Sequence, residues 1–217
     1  MPVVTRRSLT VVGGVAAALS CASLATASAA APTVISTGHV DVVGVELADG
    51  AFHLHVHDEE NGVEYEPADV VLAALPGSAY TVPAGSCFDF LGEAGDTVYR
   101  LPQTQNPDLL WAGLSAHIDA GVLENDAFTV TLDSVTGPGD FSVYQDGLCA
   151  ADARLFDSGD GIDGTDATEL DAHSHVHANW AFTEPGSYTV SFTVSGTLAD
   201  GTAVPAATGD YTFSVAE

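Results

Sequence analysis

The chain has no lysine and only four arginines, against 30 aspartate and glutamate residues, and its formal net charge is −26. Nucleic acids and anionic membranes are bound by neutralising their phosphates with basic side chains, so this composition argues against both as partners. An acidic surface instead raises the local concentration of cations. It also keeps an extracellular protein soluble, and this plainer explanation of the charge stays open.

Long apolar runs are absent except near the N-terminus, where one extends over Leu9–Leu24 after two arginines. The small residues Ala27-Ser28-Ala29 follow it, and this order is typical of a secretory signal with its cleavage site. We therefore predict a signal peptide over residues 1–29 and an exported protein that is extracellular or held at the cell surface. No later run has the length of a transmembrane helix, so the mature chain is predicted to lack a membrane span.

Cysteine is scarce, and one of the three, Cys21, lies in the predicted signal. The remaining pair, Cys87 and Cys149, favours one disulfide bond in an exported chain, with two free thiols as the alternative. A disulfide would exclude both sulfur atoms as metal ligands. The Gly-x-Ser-x-Gly motif of a nucleophilic serine is also absent, so nucleophilic catalysis has little support.

Helix signals are nearly absent, whereas two-residue alternation, β-branched residues and Gly, Asp and Pro turns recur along the chain. We predict that residues 30–217 form one antiparallel β-sandwich, Ig-like or jelly-roll-like, with few or no helices. Strands are predicted at Val40–Leu47, Ala51–Asp58, Val70–Leu75, Thr97–Leu101, Phe128–Val135, Phe141–Tyr144, His173–Phe182, Tyr188–Gly196 and Tyr211–Val215. Long loops are predicted at Pro102–Leu110 and Asp157–Asp171.

Histidines at alternate positions are the clearest chemical feature of the sequence. Six of the eight form two rows: His53, His55 and His57, and His173, His175 and His177. Alternate residues of a strand point to the same face, so each row aligns three imidazoles. Because imidazole is the commonest metal-ligating side chain, the rows predict a metal site.

The Asp49-Gly50 turn predicts how the first row is oriented. It places Leu47 opposite Phe52 on an apolar face that the core buries. On the other face the predicted pairs are Glu46 with His53, Gly44 with His55, and Val42 with His57. Gly44 leaves space for the central imidazole. Val176, Trp180 and Phe182 share the other face of the predicted strand, and their apolar side chains are expected in the core. The second row is therefore also predicted to point away from the core.

Neighbouring imidazoles of a row stand about 6.5–7 Å apart along the strand, so two of them can converge on one ion while three cannot easily do so. A further ligand must come from elsewhere, and Asp41 is one candidate. The predicted ligand set is His39, His53, His55, His57, His117, His173, His175, His177 and Glu46. Imidazole-rich sites favour zinc or copper, and carboxylate ligands extend the choice to manganese. We predict zinc, with manganese and copper as alternatives.

The acidic segment Asp157–Asp166 is rich in glycine and resembles a calcium loop, although its spacing differs from that of an EF-hand. We keep calcium binding there as a separate hypothesis. A metalloenzyme is a further alternative, because Asp41, Glu46 or Glu184 could serve as a general base. Residues Phe52–Asp58 resemble the histidine strand of copper-zinc superoxide dismutases, but that family's second histidine loop and its arginine segment are absent.

Several motifs, in chain order, carry a broader resemblance. They are Gly38-His39-Val40-Asp41, Trp111-Ala112-Gly113-Leu114, the segments Val135–Ser142 and His175–Phe182, and Pro185-Gly186-Ser187-Tyr188-Thr189-Val190. Together they make the mature chain similar to the actinobacterial surface-anchored protein domain, also called the choice-of-anchor M domain. The motif His-x-His-x-Asn-Trp-x-Phe followed by Pro-Gly-x-Tyr is the most specific part.

That resemblance implies an exported protein, generally attached to the cell surface and associated with ABC importers of the zinc/manganese class. It implies a role in capturing a metal ion outside the membrane or supporting its delivery to an importer, and we predict a binding protein and not an enzyme. By motif match, the resemblance carries over His39, His175 and His177 as site residues. The alternatives are a structural or adhesive surface module and a secreted metalloenzyme such as a superoxide dismutase-like protein.

Overall fold

The structure is a computed structural model that describes residues 31–147 and 149–217. The predicted signal peptide, residues 1–29 with Cys21, lies outside the described residues. Within them the chain forms β-strands and short 3₁₀ turns but no α-helix, so the predicted all-β class is confirmed. The same residues contain no helix with the length and apolar character to cross a bilayer.

Sixteen strands, numbered in chain order, build the fold. They are β1 (Thr33–Ile35), β2 (Gly38–Ala48), β3 (Ala51–Asp58), β4 (Val63–Tyr65), β5 (Val70–Ala74), β6 (Ala79–Thr81), β7 (Thr97–Leu101), β8 (Leu110–His117), β9 (Ala127–Thr136), β10 (Phe141–Tyr144), β11 (Arg154–Asp157), β12 (Ala167–Asp171), β13 (His175–His177), β14 (Asn179–Phe182), β15 (Gly186–Thr197) and β16 (Ala203–Val215). The 3₁₀ turns are Pro67–Asp69, Pro76–Ser78, Asp89–Leu91, Glu124–Asp126 and Ala150–Ala153.

The strands form three sheets, and most neighbouring strands are antiparallel. Sheet I has the order β1-β5-β16-β15-β9-β12, sheet II the order β13-β8-β2-β3-β4, and sheet III the order β11-β10-β14-β7-β6. Side chains of sheet I pack against both other sheets: Phe128 meets Phe52 of sheet II, and Phe192 meets Trp180 of sheet III. The predicted β-sandwich is therefore confirmed.

Alternation explains why these segments bury one face. In β15, the side chains of Tyr188, Val190, Phe192 and Val194 are fully buried in one contiguous apolar core. Burying one such side chain stabilises a fold by about 1.5–3 kcal/mol. Truncation of Phe192 to alanine would cost about 3–5 kcal/mol, because a cavity would be left among the aromatic rings around it.

The predicted disulfide is confirmed, since Cys87 and Cys149 are joined. The bridge connects the segment before β7 to the segment after β10. A small second cluster of buried side chains, including Val82, Leu91 and Ala150, lies beside it. With a sequence separation of 62 between the two cysteines, the chain-entropy model gives the bridge a stabilisation of about 4 kcal/mol.

Several predicted strands agree with the structure, but β1, β4, β6, β8, β11 and β12 were not predicted and two predictions are wrong. Strand β8, which was not predicted, is buried along most of its length and so lacks the alternation of a half-exposed strand. The predicted loop Asp157–Asp171 contains strand β12. The predicted strand His173–Phe182 is divided into β13 of sheet II and β14 of sheet III, and His173 lies in the turn that precedes β13.

Candidate metal centre

The first histidine row and His175 and His177 of the second lie on one face of sheet II, where β8 and β2 separate β13 from β3. Cross-strand pairs run from His177 to Gly113, from Gly113 to Asp41, and from Asp41 to His57. The next row of pairs joins His175, Ser115, Gly44 and His55 in the same order. We call this surface the histidine face. Because side chains of paired residues share a face, the sheet unites histidines that are more than 100 positions apart in the chain.

A β-bulge in β2 determines which residues reach the histidine face. The predicted pairs of Glu46 with His53 and of Gly44 with His55 are confirmed, but His57 pairs with Asp41 and not with Val42. The register shifts because the chain inserts one extra residue at Val42 and Val43, and both side chains are fully buried. In a regular strand Asp41 and His39 would point into the core, so the bulge moves both to the histidine face.

Four side chains converge at the edge of this face: His39, Asp41, His175 and His177. The Nε2 atom of His39 lies 3.0 Å from Nε2 of His175 and 3.0 Å from Nε2 of His177. Oδ1 of Asp41 lies 3.4 Å from the His39 nitrogen and 3.1 Å from the His175 nitrogen. Zinc bonds of 2.0–2.1 Å in a tetrahedron place ligand atoms about 3.3–3.4 Å apart, so this group could hold a metal ion.

Asp41 has an unusual electrostatic environment. Its side chain is 0% exposed, yet neither carboxylate oxygen accepts a hydrogen bond from the described residues. The imidazole nitrogens are close to Oδ1, but these contacts lack hydrogen-bond geometry. A buried carboxylate that lacks a partner costs several kcal/mol, and a bound cation would remove that cost.

Gly113 gives Asp41 and His177 the space to approach each other across β8. A Cβ atom at this position would lie 2.9 Å from Oδ1 of Asp41 and 3.0 Å from Cε1 of His177. The first contact is shorter than real Cβ atoms make, and the second is tighter than nearly all of them, so an added side chain would force a neighbour to move. The glycine in the middle of a buried strand is therefore explained by the close packing of the candidate ligands.

His177 is held in an orientation that suits a ligand. Its Nδ1 lies 3.0 Å from the carbonyl oxygen of Ala112, which can only accept, so the ring donates there and leaves Nε2 free to bind. Burial lowers the pKa of His177, and the imidazoles of His39 and His175 also lower it, while the hydrogen bond to Ala112 and the carboxylate of Asp41 act in the opposite direction. The lowered pKa favours the neutral ring, which is the form that binds metals.

Trp111 forms one wall of the centre. Its indole stacks on the His177 ring with centroids 3.7 Å apart and an interplanar angle of 9°, and it also contacts the ring of His39 at 4.6 Å. Its Nε1 donates to the carbonyl oxygen of Gln103. Trp111 occurs in one of the motifs of the family resemblance, but histidine spacing alone gives no reason to place it in a site.

A second group shares Asp41. One ligand atom each from Asp41, His57 and Glu59 lie within 4.8 Å of one another. Nδ1 of His57 is 3.2 Å from Oε1 of Glu59, and both side chains are partly exposed. Glu59 was not predicted as a ligand, although it occupies the next alternate position after His57, because it lies in a turn beyond the predicted strand and is not a histidine.

His55, the centre of the first row, sits over Gly44 as predicted. A Cβ atom on Gly44 would lie 2.5 Å from Nε2 of His55. Burial lowers the pKa of His55, while the carboxylates of Glu64 and Glu46 act in the opposite direction. Its neighbour His53 lines a groove of about 650 Å³ together with Glu46 and Glu64.

The other predicted ligands remain outside both groups. His53 and His117 lie on either side of Glu46 on the histidine face, and His173 is an exposed turn residue. Among the described residues, only the two groups above bring three or more ligating atoms within 4.8 Å, and neither contains a residue of the Asp157–Asp166 loop. In that loop Asp166 accepts hydrogen bonds from the backbone N–H groups of Asp157 and Asp163, so it is already satisfied without calcium.

No family model matches the chain, and comparisons with curated proteins and with solved structures also find no match. The resemblance to the choice-of-anchor M domain therefore stays a prediction.

Proposed function

We propose that this protein is an exported metal-binding protein that holds a divalent transition-metal ion, zinc first, through His39, Asp41, His175 and His177. The observation that carries the proposal is the convergence of three imidazole nitrogens on a buried carboxylate with no hydrogen-bond partner among the described residues. Three neutral imidazoles and one carboxylate give a donor set with a single negative charge. Such a nitrogen-rich set favours zinc or copper over calcium or magnesium.

The spacing of the donor atoms supports zinc over copper(II). In a square-planar site with bonds near 2 Å, each ligand has an opposite partner about 4.1 Å away. Nε2 of His39 instead has all three other donors within 3.4 Å. Only a compact arrangement such as a tetrahedron gives one atom three neighbours this close, and zinc favours that geometry.

The protein supplies all four positions of such a tetrahedron, and this favours binding over catalysis. Catalytic zinc sites keep one position for water or substrate, with three protein ligands. At the same time the His175 side chain is 44% exposed, so an ion could enter and leave from solvent. An accessible site on a strongly acidic protein suits capture of an ion, and the sequence resemblance adds delivery to an ABC importer as the destination.

The test is zinc binding by calorimetry in competition with a chelator. The double variant His175→Ala/His177→Ala should lose high-affinity binding, because half of the ligand atoms are removed. A matched control, His53→Ala/His117→Ala, also removes two imidazoles of the histidine face but none of the four ligands, and it should bind like wild type. Unchanged affinity in the first variant would refute the proposed site.

Delivery is tested separately by zinc transfer. The zinc-loaded protein is mixed with the purified substrate-binding protein of a zinc importer, and the metal content of each is measured after separation. If the protein delivers zinc, transfer to the substrate-binding protein should be faster than the release of zinc to a chelator at the same concentration. Transfer that is no faster than spontaneous release would refute delivery and leave metal capture as the function.

A further inference from the structure

The carboxylate of Asp41 has one oxygen more than the four-ligand centre uses. Oδ1 is the oxygen near His39 and His175. Oδ2 is equally buried, and it too accepts no hydrogen bond from the described part of the chain. A single ion bound through Oδ1 would leave the second oxygen without a partner, at the cost that any buried polar atom carries when unpaired.

Two more ligating side chains lie beside Asp41 on the side of β3. The bulge in β2 makes His57 the direct cross-strand partner of Asp41. Glu59 follows two residues later, and its backbone N–H donates to the carbonyl oxygen of His39, 3.1 Å away. The turn is fixed further by Asn61, whose side-chain amide donates to the buried carboxylate of Asp58 at 2.7 Å. The backbone thus holds Glu59 next to the centre.

We propose that the centre is binuclear, with a second divalent cation bound by Asp41, His57 and Glu59 and with the Asp41 carboxylate bridging the two ions. The inference rests on the proposed function, because Asp41 belongs to both positions. A bridging carboxylate of this kind accounts for both unpartnered oxygens of Asp41 at once. Pairs of ions in known two-metal sites lie about 3.5–4 Å apart.

The donor set of the second position differs from that of the first. One imidazole and two carboxylates form a harder set, which accepts zinc and also manganese. Three protein ligands leave coordination positions for water, so this ion exchanges more readily than the first. The surroundings add negative charge, because Glu64 pairs with His57 and the carboxylate of Glu60 lies against Gly38. These acidic groups offset the charge that two cations bring.

The experiment measures how many zinc ions each variant binds at equilibrium, by dialysis of the purified protein at physiological salt followed by elemental analysis. Wild type should bind two equivalents above the background of the acidic surface. The variant His57→Ala/Glu59→Gln should keep only the tighter equivalent. The matched control His53→Ala/Glu169→Gln removes one exposed imidazole and one exposed carboxylate outside both groups, and it should still bind two.

The results separate this inference from the proposed function. Wild type that saturates at one equivalent, or a second equivalent that survives in His57→Ala/Glu59→Gln, would overturn the binuclear centre. Loss of the tight equivalent in His175→Ala/His177→Ala would still support the first position in either case. In zinc-soaked crystals of wild type, anomalous scattering should give two peaks about 3.5–4 Å apart on either side of Asp41. A single peak at the four-ligand group contradicts the second position.

Discussion

Replacing Asp41 by asparagine should not destabilise the metal-free protein but should reduce the stabilisation that zinc gives. The substitution keeps the shape of the side chain but removes a charge that is fully buried. In the metal-free protein the new amide needs no counter-charge, and Nε2 of His39 and of His175 lie within 3.4 Å of the position of Oδ1. Because an uncompensated buried charge costs several kcal/mol, the metal-free variant should be at least as stable as wild type.

With zinc, wild type should gain more stability than the variant. A ligand at 100 times its dissociation constant stabilises the native state by about 2.7 kcal/mol. For a domain of this size, 1 kcal/mol corresponds to about 2–4 °C in Tm, so zinc should raise the wild-type Tm by about 5–11 °C. If loss of the charged ligand weakens binding about 100-fold, the same zinc concentration gives the Asp41→Asn variant about 0.4 kcal/mol, or a shift of about 1–2 °C.

Differential scanning calorimetry at pH 7.5, with chelator and then with buffered zinc, measures both effects. The variant His53→Gln is the control, since His53 lies outside both groups and should leave the zinc-dependent shift unchanged. An Asp41→Asn protein whose Tm rises with zinc as much as that of wild type would refute the assigned role of Asp41. A metal-free variant less stable than wild type would refute the argument from the buried charge.

Three further predictions concern other residues. Trp111 stacks on His177, so zinc should change the tryptophan fluorescence of wild type, and Trp111→Phe should abolish the change although the buried Trp180 remains. Burial lowers the pKa of His55 in the native state, so the metal-free protein should be destabilised as the pH falls below about 6.5, where the unfolded chain takes up the proton first. Urea titrations at pH 7.5 and 5.5 should show a smaller loss in His55→Gln, and an equal loss would exclude His55 as a cause. Replacing both cysteines of the disulfide by serine should lower the free energy of unfolding by about 4 kcal/mol with little change in zinc affinity, because the bridge is not part of the histidine face. A large loss of zinc affinity in this variant would instead link the bridge to the site.

The orientation of the histidine rows could be predicted from the sequence because local rules determine it. The Asp49-Gly50 turn fixes the pairing near the hairpin, and the confirmed pairs of Glu46 with His53 and Gly44 with His55 lie close to that turn. Burial of Phe52 then directs the histidines outward. Turn chemistry and alternation are sufficient for this part of the site.

The set of residues that form the centre could not be predicted from turn chemistry and alternation. Alternation counted from the turn assigns Asp41 to the core, and only the bulge at Val42 and Val43 reverses that assignment. Two adjacent valines fit a regular strand as well as a bulge, so nothing local marks the extra residue. The contact between His39 and His177 also depends on β8, a buried strand that shows no alternation.

The separation of His173 from its row has a similar cause. Spacing alone treats His173, His175 and His177 as equivalent, but β13 begins at His175. Ala178 is the single residue between β13 of sheet II and β14 of sheet III. Which sheet each segment joins depends on contacts with distant strands, and alternation along one segment does not report those contacts.

The zinc environment itself tests the central claim most directly. X-ray absorption at the zinc edge, on protein loaded with one equivalent of zinc, measures the number and type of ligating atoms. We predict three imidazole nitrogens and one carboxylate oxygen at about 2.0–2.1 Å, with one imidazole lost in His177→Ala. A shell of oxygen atoms only, or a spectrum that is unchanged in His177→Ala, would contradict the account.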